Sequence, residues 1–401
     1  MRPESLVVTV LLTMLVAFGA ISTDLYLPSL PAIGAGFGAD TGQVQLTLSV
    51  FLLGFAVSQV AYGPLSDRFG RRPVLIGALG VYVLASLACM TAPGIGSLIT
   101  WRFFQALGAC AGVVLGRAIV RDIYGREGAA RMLSYMGMAM ALAPALGPIL
   151  GGYLQVWFGW RANFAVLSAF GAASLLGVLV LLPETNRWRD ATATRVLQIA
   201  RNYRTLAGDP VYLGYVLVCA FSYSGIFAFI SGSSFVFIGG LGLTPDRYGL
   251  CFAAIVVGYM VGAFASGRLT LSLGIDRLVL AGAAIGLAGG VAAFALALAG
   301  IASVTGIIAP VFVFMIGVGL MLPNAMAGAI GPYPRMAGTA SALLGVIQMT
   351  LAAVIGIAVG QAQDGTARGM NGAIAAVALA ALLAYLGLVR RGAAPDQRPR
   401  C

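Results

Sequence analysis

Residues 63–78 read GPLSDRFGRRPVLIGA, and residues 267–282 read GRLTLSLGIDRLVLAG. Gly63 matches Gly267, Leu65 matches Leu269 and Gly70 matches Gly274, all at an offset of 204 residues. Each copy is a short polar turn that follows the second apolar run of its half of the chain. An offset of half the chain implies duplication. In a membrane protein it predicts two helix bundles with a substrate site between them.

The flanking runs identify the solvent. The chain has 401 residues, of which 60% are hydrophobic and 9% charged, and its mean hydropathy is +0.96. A soluble protein carries about 25% charged residues. Apolar stretches of roughly 18 to 25 residues recur throughout, each long enough to cross the ~30 Å hydrocarbon core. They place twelve spans near 5–31, 43–66, 74–91, 97–120, 131–155, 162–183, 211–238, 247–266, 278–299, 304–330, 338–360 and 371–389. The first run exceeds signal-peptide length and has no A-x-A site before the next span, so it is expected to stay as an anchor. The expected fold is an all-α polytopic membrane protein. Residues 1–183 form an N-terminal six-helix bundle, 184–210 a cytoplasmic linker with PETNRWRD, 211–390 a C-terminal six-helix bundle and 391–401 a cytoplasmic tail.

The net charge of +11 is not a nucleic-acid footprint, because its placement is topological. All 24 basic residues are arginine. With both termini inside, nineteen fall on cytoplasmic segments: Arg2, Arg68, Arg71, Arg72, Arg121, Arg126, Arg131, Arg187, Arg189, Arg195, Arg201, Arg204, Arg268, Arg277, Arg335, Arg390, Arg391, Arg398 and Arg400. Arg161, Arg247 and Arg368 lie outside, and Arg102 and Arg117 lie in span four. Basic residues gather on the cytoplasmic side of membrane proteins, so this fixes the orientation. Cys89, Cys110, Cys219, Cys251 and Cys401 form no disulfide framework. With no histidine in the chain, a zinc cluster is not expected.

Span one carries the first chemical signal, STDLYLPSLP from Ser22 to Pro31. Asp24 is the one acid placed well inside a span. A carboxylate there costs about 2.5–3.5 kcal/mol on insertion scales, so such a group usually faces a cavity and has a partner. Pro28 cannot donate to the carbonyl four residues back and crowds it, which frees the Asp24 carbonyl and bends the helix. A polar, deformable turn at membrane depth is tolerable where it lines a cavity. The alternative is a solvated Asp24 near the outer surface. Arg102 lies at a depth within about 3 Å of Asp24 at 1.5 Å per residue, so the two can meet if spans one and four are neighbours. Burial favours the neutral acid and a nearby guanidinium favours the carboxylate. A snorkelling, interfacial Arg102 is the other reading.

The turn GPLSDRFGRR holds Asp67, Arg68, Arg71 and Arg72. Asp67 could accept hydrogen bonds from a helix N-terminus across the bundle interface, and Asp122 in VRDIY can pair with Arg71 or Arg72. In span five, APALGPILGG sets Pro144 and Pro148 before Gly151 and Gly152. The prolines weaken the helix ladder and the glycines permit close packing, which suits a hinge or a rigid kink.

Together these stretches resemble the major facilitator superfamily, in its twelve-span drug/proton antiporter branch, and within it the bicyclomycin/chloramphenicol-resistance (Bcr/CflA) subfamily. DLYLP from Asp24 is similar to the first-span signature and GPLSDRFGRRPV to that of loop 2–3. RFFQALGA resembles the fourth-span signature and GPILGG the core of the span-five antiporter signature. VRDIY and AGTASALLG from Ala337 are also similar. One departure is that Ala143 and Ser134 stand where the span-five signature usually has glycine.

The resemblance implies that Asp24 is the protonatable carboxylate and Arg102 its coupling partner. It implies that Asp67, Arg71 and Asp122, with Arg68 and Arg72 beside them, form a charge cluster stabilising the outward-facing state. Pro144, Gly147, Pro148, Gly151 and Gly152 would form the bending helix. Depth and chemistry suggest Tyr26, Phe51, Tyr223, Phe227, Asn324 and Gln348 as pocket-lining residues. The expected function is efflux of a small amphipathic drug against inward protons across a bacterial inner membrane, by a monomer that needs no cofactor or metal. An exporter or permease of an endogenous metabolite is the alternative on the same fold. A symporter would be expected to show several charged pocket residues. A membrane enzyme would need a clustered catalytic set or metal ligands.

Overall fold

The structure, a computed structural model, describes residues 6–186, 203–333, 336–362 and 365–392, without the side chains of Leu6, Gly392 and residues 125–131, 133–135 and 137–142. Arg2, Arg187, Arg189, Arg195, Arg201, Arg335, Arg398, Arg400 and Cys401 therefore lie outside the described residues, as do the side chains of Arg126, Arg131 and Ser134.

Helix α1 (Leu6–Asp24) stops at the carboxylate. Leu25 still donates to the Ile21 carbonyl at 3.2 Å, but Pro28 has no N–H with which to continue. The chain passes through a 3₁₀ turn at Leu27–Ser29 into α2 (Leu30–Phe37), which has Pro31 in its first turn, where a missing N–H costs nothing. Span one is thus a broken helix rather than a single rod over 5–31. Next, α3 (Thr41–Phe69) opens on a capping box in which Asp40 accepts from the Gln43 N–H and the Gln43 side chain from that of Asp40, worth about 1 kcal/mol.

A single residue, Gly70 at φ 100°, separates α3 from α4 (Arg71–Met90). In the second half, Gly274 at φ 79° separates α8 (Pro245–Leu273) from α9 (Ile275–Leu298) in the same way. Side chains rarely tolerate this left-handed backbone. The second half opens on α7 (Pro210–Ser234), and the repeat is also present in element bounds: α3 and α8 run 41–69 and 245–273, and α4 and α9 begin at 71 and 275.

Spans four and five are expected as separate helices, but the backbone is helical throughout α5 (Ile95–Phe158). The stretch between them holds no proline but includes Gly125 and Gly128, where the backbone can bend without a side-chain penalty. A straight helix would put residues 102 and 147 about 67 Å apart. Instead Arg102 bonds the Ser22 carbonyl and Gly147 lies against Asp24. The segment therefore folds back into two arms. The first runs antiparallel to α1 as far as Tyr124, whose hydroxyl is 3.2 Å from that of Thr9.

The remaining helices are α6 (Arg161–Leu181), α10 (Val304–Ile330), α11 (Ala337–Gln361), α12 (Arg368–Ala384) and the short α13 (Arg390–Gly392). π-helical turns close α7 at Phe235–Gly240 and α12 at Tyr385–Val389. Eleven stretches among the described residues are long and apolar enough to cross a membrane, and the second arm of α5 coincides with the expected span 131–155. The chain divides into two compact units, Met1–Arg195 with Gly242–Ala253, and Val196–Leu241 with Ala254–Cys401. In the first, α5 packs along α1, α3 and α4, and α4 along α6; in the second, α10 packs along α9, and α7 against α11 and α12. Leu84, Val180 and Phe264 are exposed on helix faces, as lipid-facing residues must be.

Candidate functional site

Asp24 is the last residue of α1 and is 3% exposed. Its Oδ1 accepts from the Thr23 hydroxyl at 3.1 Å, and Thr23 is itself held to α1 through the Gly19 and Ala20 carbonyls. No ion pair reaches Asp24 among the described residues. Its turn is covered by the second arm of α5. A Cβ at Gly147 would come within 3.0 Å of the Asp24 Cβ, and one at Gly151 would overlap the Leu25 carbonyl oxygen. The two glycines, four residues apart on one face, thus let a helix lie directly on the carboxylate turn. Pro144 and Pro148 sit inside α5, so span five meets Asp24 where its own ladder is weakest. A Cβ at Gly152 would overlap the Pro245 carbonyl oxygen, within the same unit.

Arg102 is fully buried on the first arm of α5. The structure brings it to the turn of Asp24, though to a different atom from the expected one. Its Nη1 donates to the Ser22 carbonyl at 3.0 Å and to Gln105 Oε1 at 2.5 Å, and its Nε to the Thr47 carbonyl at 3.4 Å. The guanidinium carbon lies 4.3 Å from the ring centres of both Tyr26 and Phe51. Tyr26 and Phe51, expected to line a pocket, are fully buried against the cation, and Tyr26 is tied to the Thr47 hydroxyl at 3.0 Å. Two ring faces offset part of the cost of burying a charge. A polar chain runs onward: Gln105 donates to Ser86 Oγ at 2.8 Å, Ser86 to the Tyr82 carbonyl at 2.7 Å, and the Tyr82 and Ser22 hydroxyls are 2.7 Å apart. Arg102 Nη2 has no hydrogen-bond partner among the described residues.

At the other end of the unit, Arg71 bridges Asp67 at 2.6 Å and Asp122 at 3.2 Å, and also donates to Ser66 Oγ. Arg72 Nη2 reaches the Leu179 carbonyl at 2.8 Å, and Arg68 lies 5.1 Å from the centre of its neighbour's ring, Phe69. The N-terminus of α4 is taken by Glu184. Glu184 Oε1 and Oε2 accept from the Arg71 and Arg72 N–H groups at 2.9 and 3.3 Å, while Asp67 reaches the guanidinium one helical turn away. Thr185 adds a bond to Asp122, and Asn186 donates to the Ser66 and Asp67 carbonyls. Sequence reading missed this role of PETN, although an acid at the end of a span was a visible signal.

In the second unit the suggested pocket residues separate. Tyr223 and Phe227 pack on each other in α7 at 5.7 Å. Asn324 on α10 is 2% exposed and donates to Ser266 Oγ at 2.8 Å while accepting from Thr270 at 3.0 Å, so it staples α10 to α8. Gln348 is buried on α11.

The profile of the Major Facilitator Superfamily matches residues 10–357. The chain belongs to that superfamily. Relatives include a bicyclomycin resistance protein homolog of Haemophilus influenzae, 32% identical over 381 residues that cover 95% of each chain. Multidrug resistance protein D of Escherichia coli K12 is 30% identical and 86% of each chain is covered. A chloramphenicol resistance protein of Pseudomonas aeruginosa is 32% identical over 81% of this chain and 76% of its own. These place this major facilitator protein with the Bcr/CflA subfamily. Two solved structures share the fold: a D-xylose-proton symporter (TM-score 0.78, 15% identity, covering 96% and 98% of the two chains) and a bacterial homolog of the lysosomal transporter Spinster (0.70, 16%, covering 97% and 94%). As a member of this superfamily it is a multi-pass membrane transporter acting on small molecules.

Proposed function

We propose that the protein exports small amphipathic drugs, of the chloramphenicol or bicyclomycin kind or more broadly, in exchange for inward protons bound at Asp24. It works by alternating access in the bacterial inner membrane, as a monomer with both termini cytoplasmic and with the proton gradient in place of any cofactor. The carrying observation is a carboxylate enclosed at a broken helix turn, with a hydroxyl as its polar partner and a buried cation fixed one turn away. Such a group can bind and lose a proton as its access changes. The relatives' names support drugs as the cargo. Exchange requires only that drug and proton disfavour each other at Asp24. One inward proton then supplies about 2.3 kcal/mol per 100 mV and about 1.36 kcal/mol per pH unit.

The test is proton release from the purified full chain on addition of a drug panel that includes chloramphenicol and bicyclomycin, with Asp24→Asn beside the wild type. Release that vanishes in Asp24→Asn supports exchange at this residue. Release that persists there removes Asp24 from the reading, and binding without release in either protein removes antiport.

A further inference from the structure

The turn that carries Asp24 is held from the far side by a group with no role in the reading so far. Asn163, two residues into α6, donates from Nδ2 to Ser29 Oγ at 2.7 Å. Both residues are 0% exposed, and Ser29 ends the 3₁₀ turn below the carboxylate. The next residue, Phe164, packs its ring 5.7 Å from that of Tyr26, the ring that covers Arg102. The first turn of α6 therefore grips the broken stretch at both ends, at Tyr26 and at Ser29.

The repeat supplies an internal comparison. Two residues into α12, the place of Asn163 is taken by Met370. Met370 is fully buried over Gly232 of α7, so close that a Cβ there would come within 2.9 Å of it. Gly232 stands 204 residues after Pro28, and Ser233 stands 204 after Ser29. Both halves thus bring the third residue of their last helix onto their first helix, Asn163 onto Ser29 and Met370 over Gly232, the counterpart of Pro28. The 204-residue counterpart of Asp24 is Ala228; the next residue of α12, Asn371, is also a buried amide but donates to the Ala293 carbonyl of α9 at 3.0 Å, so the amide on the turn of the first helix occurs in the half that has a carboxylate to position. It has a cost. Asn163 Oδ1 is buried with no hydrogen-bond partner among the described residues, a penalty that an apolar residue at this place avoids.

We propose that Asn163, through Ser29, is a positioning residue for the Asp24 turn, holding the 3₁₀ turn at Leu27–Ser29 against α6 and so fixing the surroundings in which the carboxylate exchanges its proton. The inference rests on the reading of Asp24 as the proton site. Among the described residues, the charged and titratable groups around the turn are Arg102 from α5, Tyr82 and Cys89 from α4 and Tyr26 within it, while α3 contributes Thr47 and Phe51, the second arm of α5 contributes glycines, and α6 contributes Asn163 and Phe164.

The experiment follows the infrared carboxylic-acid band of the purified full chain against pH, taking as the Asp24 band the one that Asp24→Asn removes. No drug is needed. Ser29→Ala and Asn163→Met are each expected to shift its midpoint by about half a pH unit to one unit, in the same direction, and the double variant to shift it no further. Met370→Asn, at the equivalent place, is expected to leave it unmoved. A midpoint unchanged in both single variants, with melting altered or not, overturns the positioning role and leaves Asp24 as the proton site. If Asp24→Asn removes no titrating band, the proton-site reading fails first and takes this inference with it.

Discussion

Replacing Gly151 by alanine adds one methyl group where the structure has a backbone oxygen. A Cβ there would overlap the Leu25 carbonyl oxygen and lie 2.7 Å from the carbonyl carbon. A flexible side chain could move aside, but this carbonyl belongs to the turn fixed by Pro28 and by the Asn163 contact. The second arm of α5 must therefore retreat from Asp24, on the order of an ångström. Overpacking costs about 1–3 kcal/mol, and a clash with backbone on both sides belongs at the upper end. Two other glycines provide the scale. At Gly147 the new Cβ meets the Asp24 Cβ at 3.0 Å, a contact that a few tenths of an ångström relieve, so alanine should cost about 1 kcal/mol or less. At Gly80, inside α4, nothing lies within 4 Å, so alanine should stabilise by about 0.5–1 kcal/mol through helix propensity. Thermal melting of detergent-purified variants at one scan rate, needed because such unfolding is often irreversible, should order them as Gly80→Ala, wild type, Gly147→Ala, Gly151→Ala. Gly151→Ala should also lose drug-induced proton release. A Gly151→Ala protein that melts at or above the wild type would refute the close seating of span five on the carboxylate turn.

Two further outcomes follow from the same geometry. Glu184→Ala should lower stability by about 1 kcal/mol, because it strips a charged acceptor from the N-terminus of α4; Glu184→Gln should lose less, and equal melting of all three proteins would remove the cap. Ser22→Ala and Tyr82→Phe should be non-additive by about 1 kcal/mol in a double-mutant cycle, since they share a buried bond of 2.7 Å, and strict additivity in melting would show that the two hydroxyls do not depend on each other.

What could be read from the chain follows the range of the interactions. The break after Asp24 is local, since Pro28 acts on a carbonyl four residues back, and it is legible. The helix junctions at Gly70 and Gly274 were visible because a duplicated sequence duplicates its element bounds. Depth counting brought Arg102 to the right turn, but depth has no azimuth, so it could not choose between the Asp24 carboxylate and the Ser22 carbonyl. For the same reason Tyr26 and Phe51 read as pocket-lining residues when they are the two ring faces on the cation. Glu184 lies more than a hundred residues from the N–H groups it accepts, and no period or spacing marks such a pair.

The two halves of the repeat also differ at the turn of Asp24. The starts of α3 and α8 and of α4 and α9 stay in step, whereas Asp24 faces Ala228 and Pro28 faces Gly232 across the duplication, and Asn163 and Met370 hold the third positions of α6 and α12. The apolar and small members of these pairs suffice to build the helices and pack them. The polar members each carry a cost, namely a buried carboxylate, a lost backbone bond and an open amide oxygen. In the second half the open amide oxygen, that of Asn371, belongs to a side chain that turns to α9, whereas the first half gathers all three costs on one turn, and that gathering is what supports Asp24 as the proposed proton site.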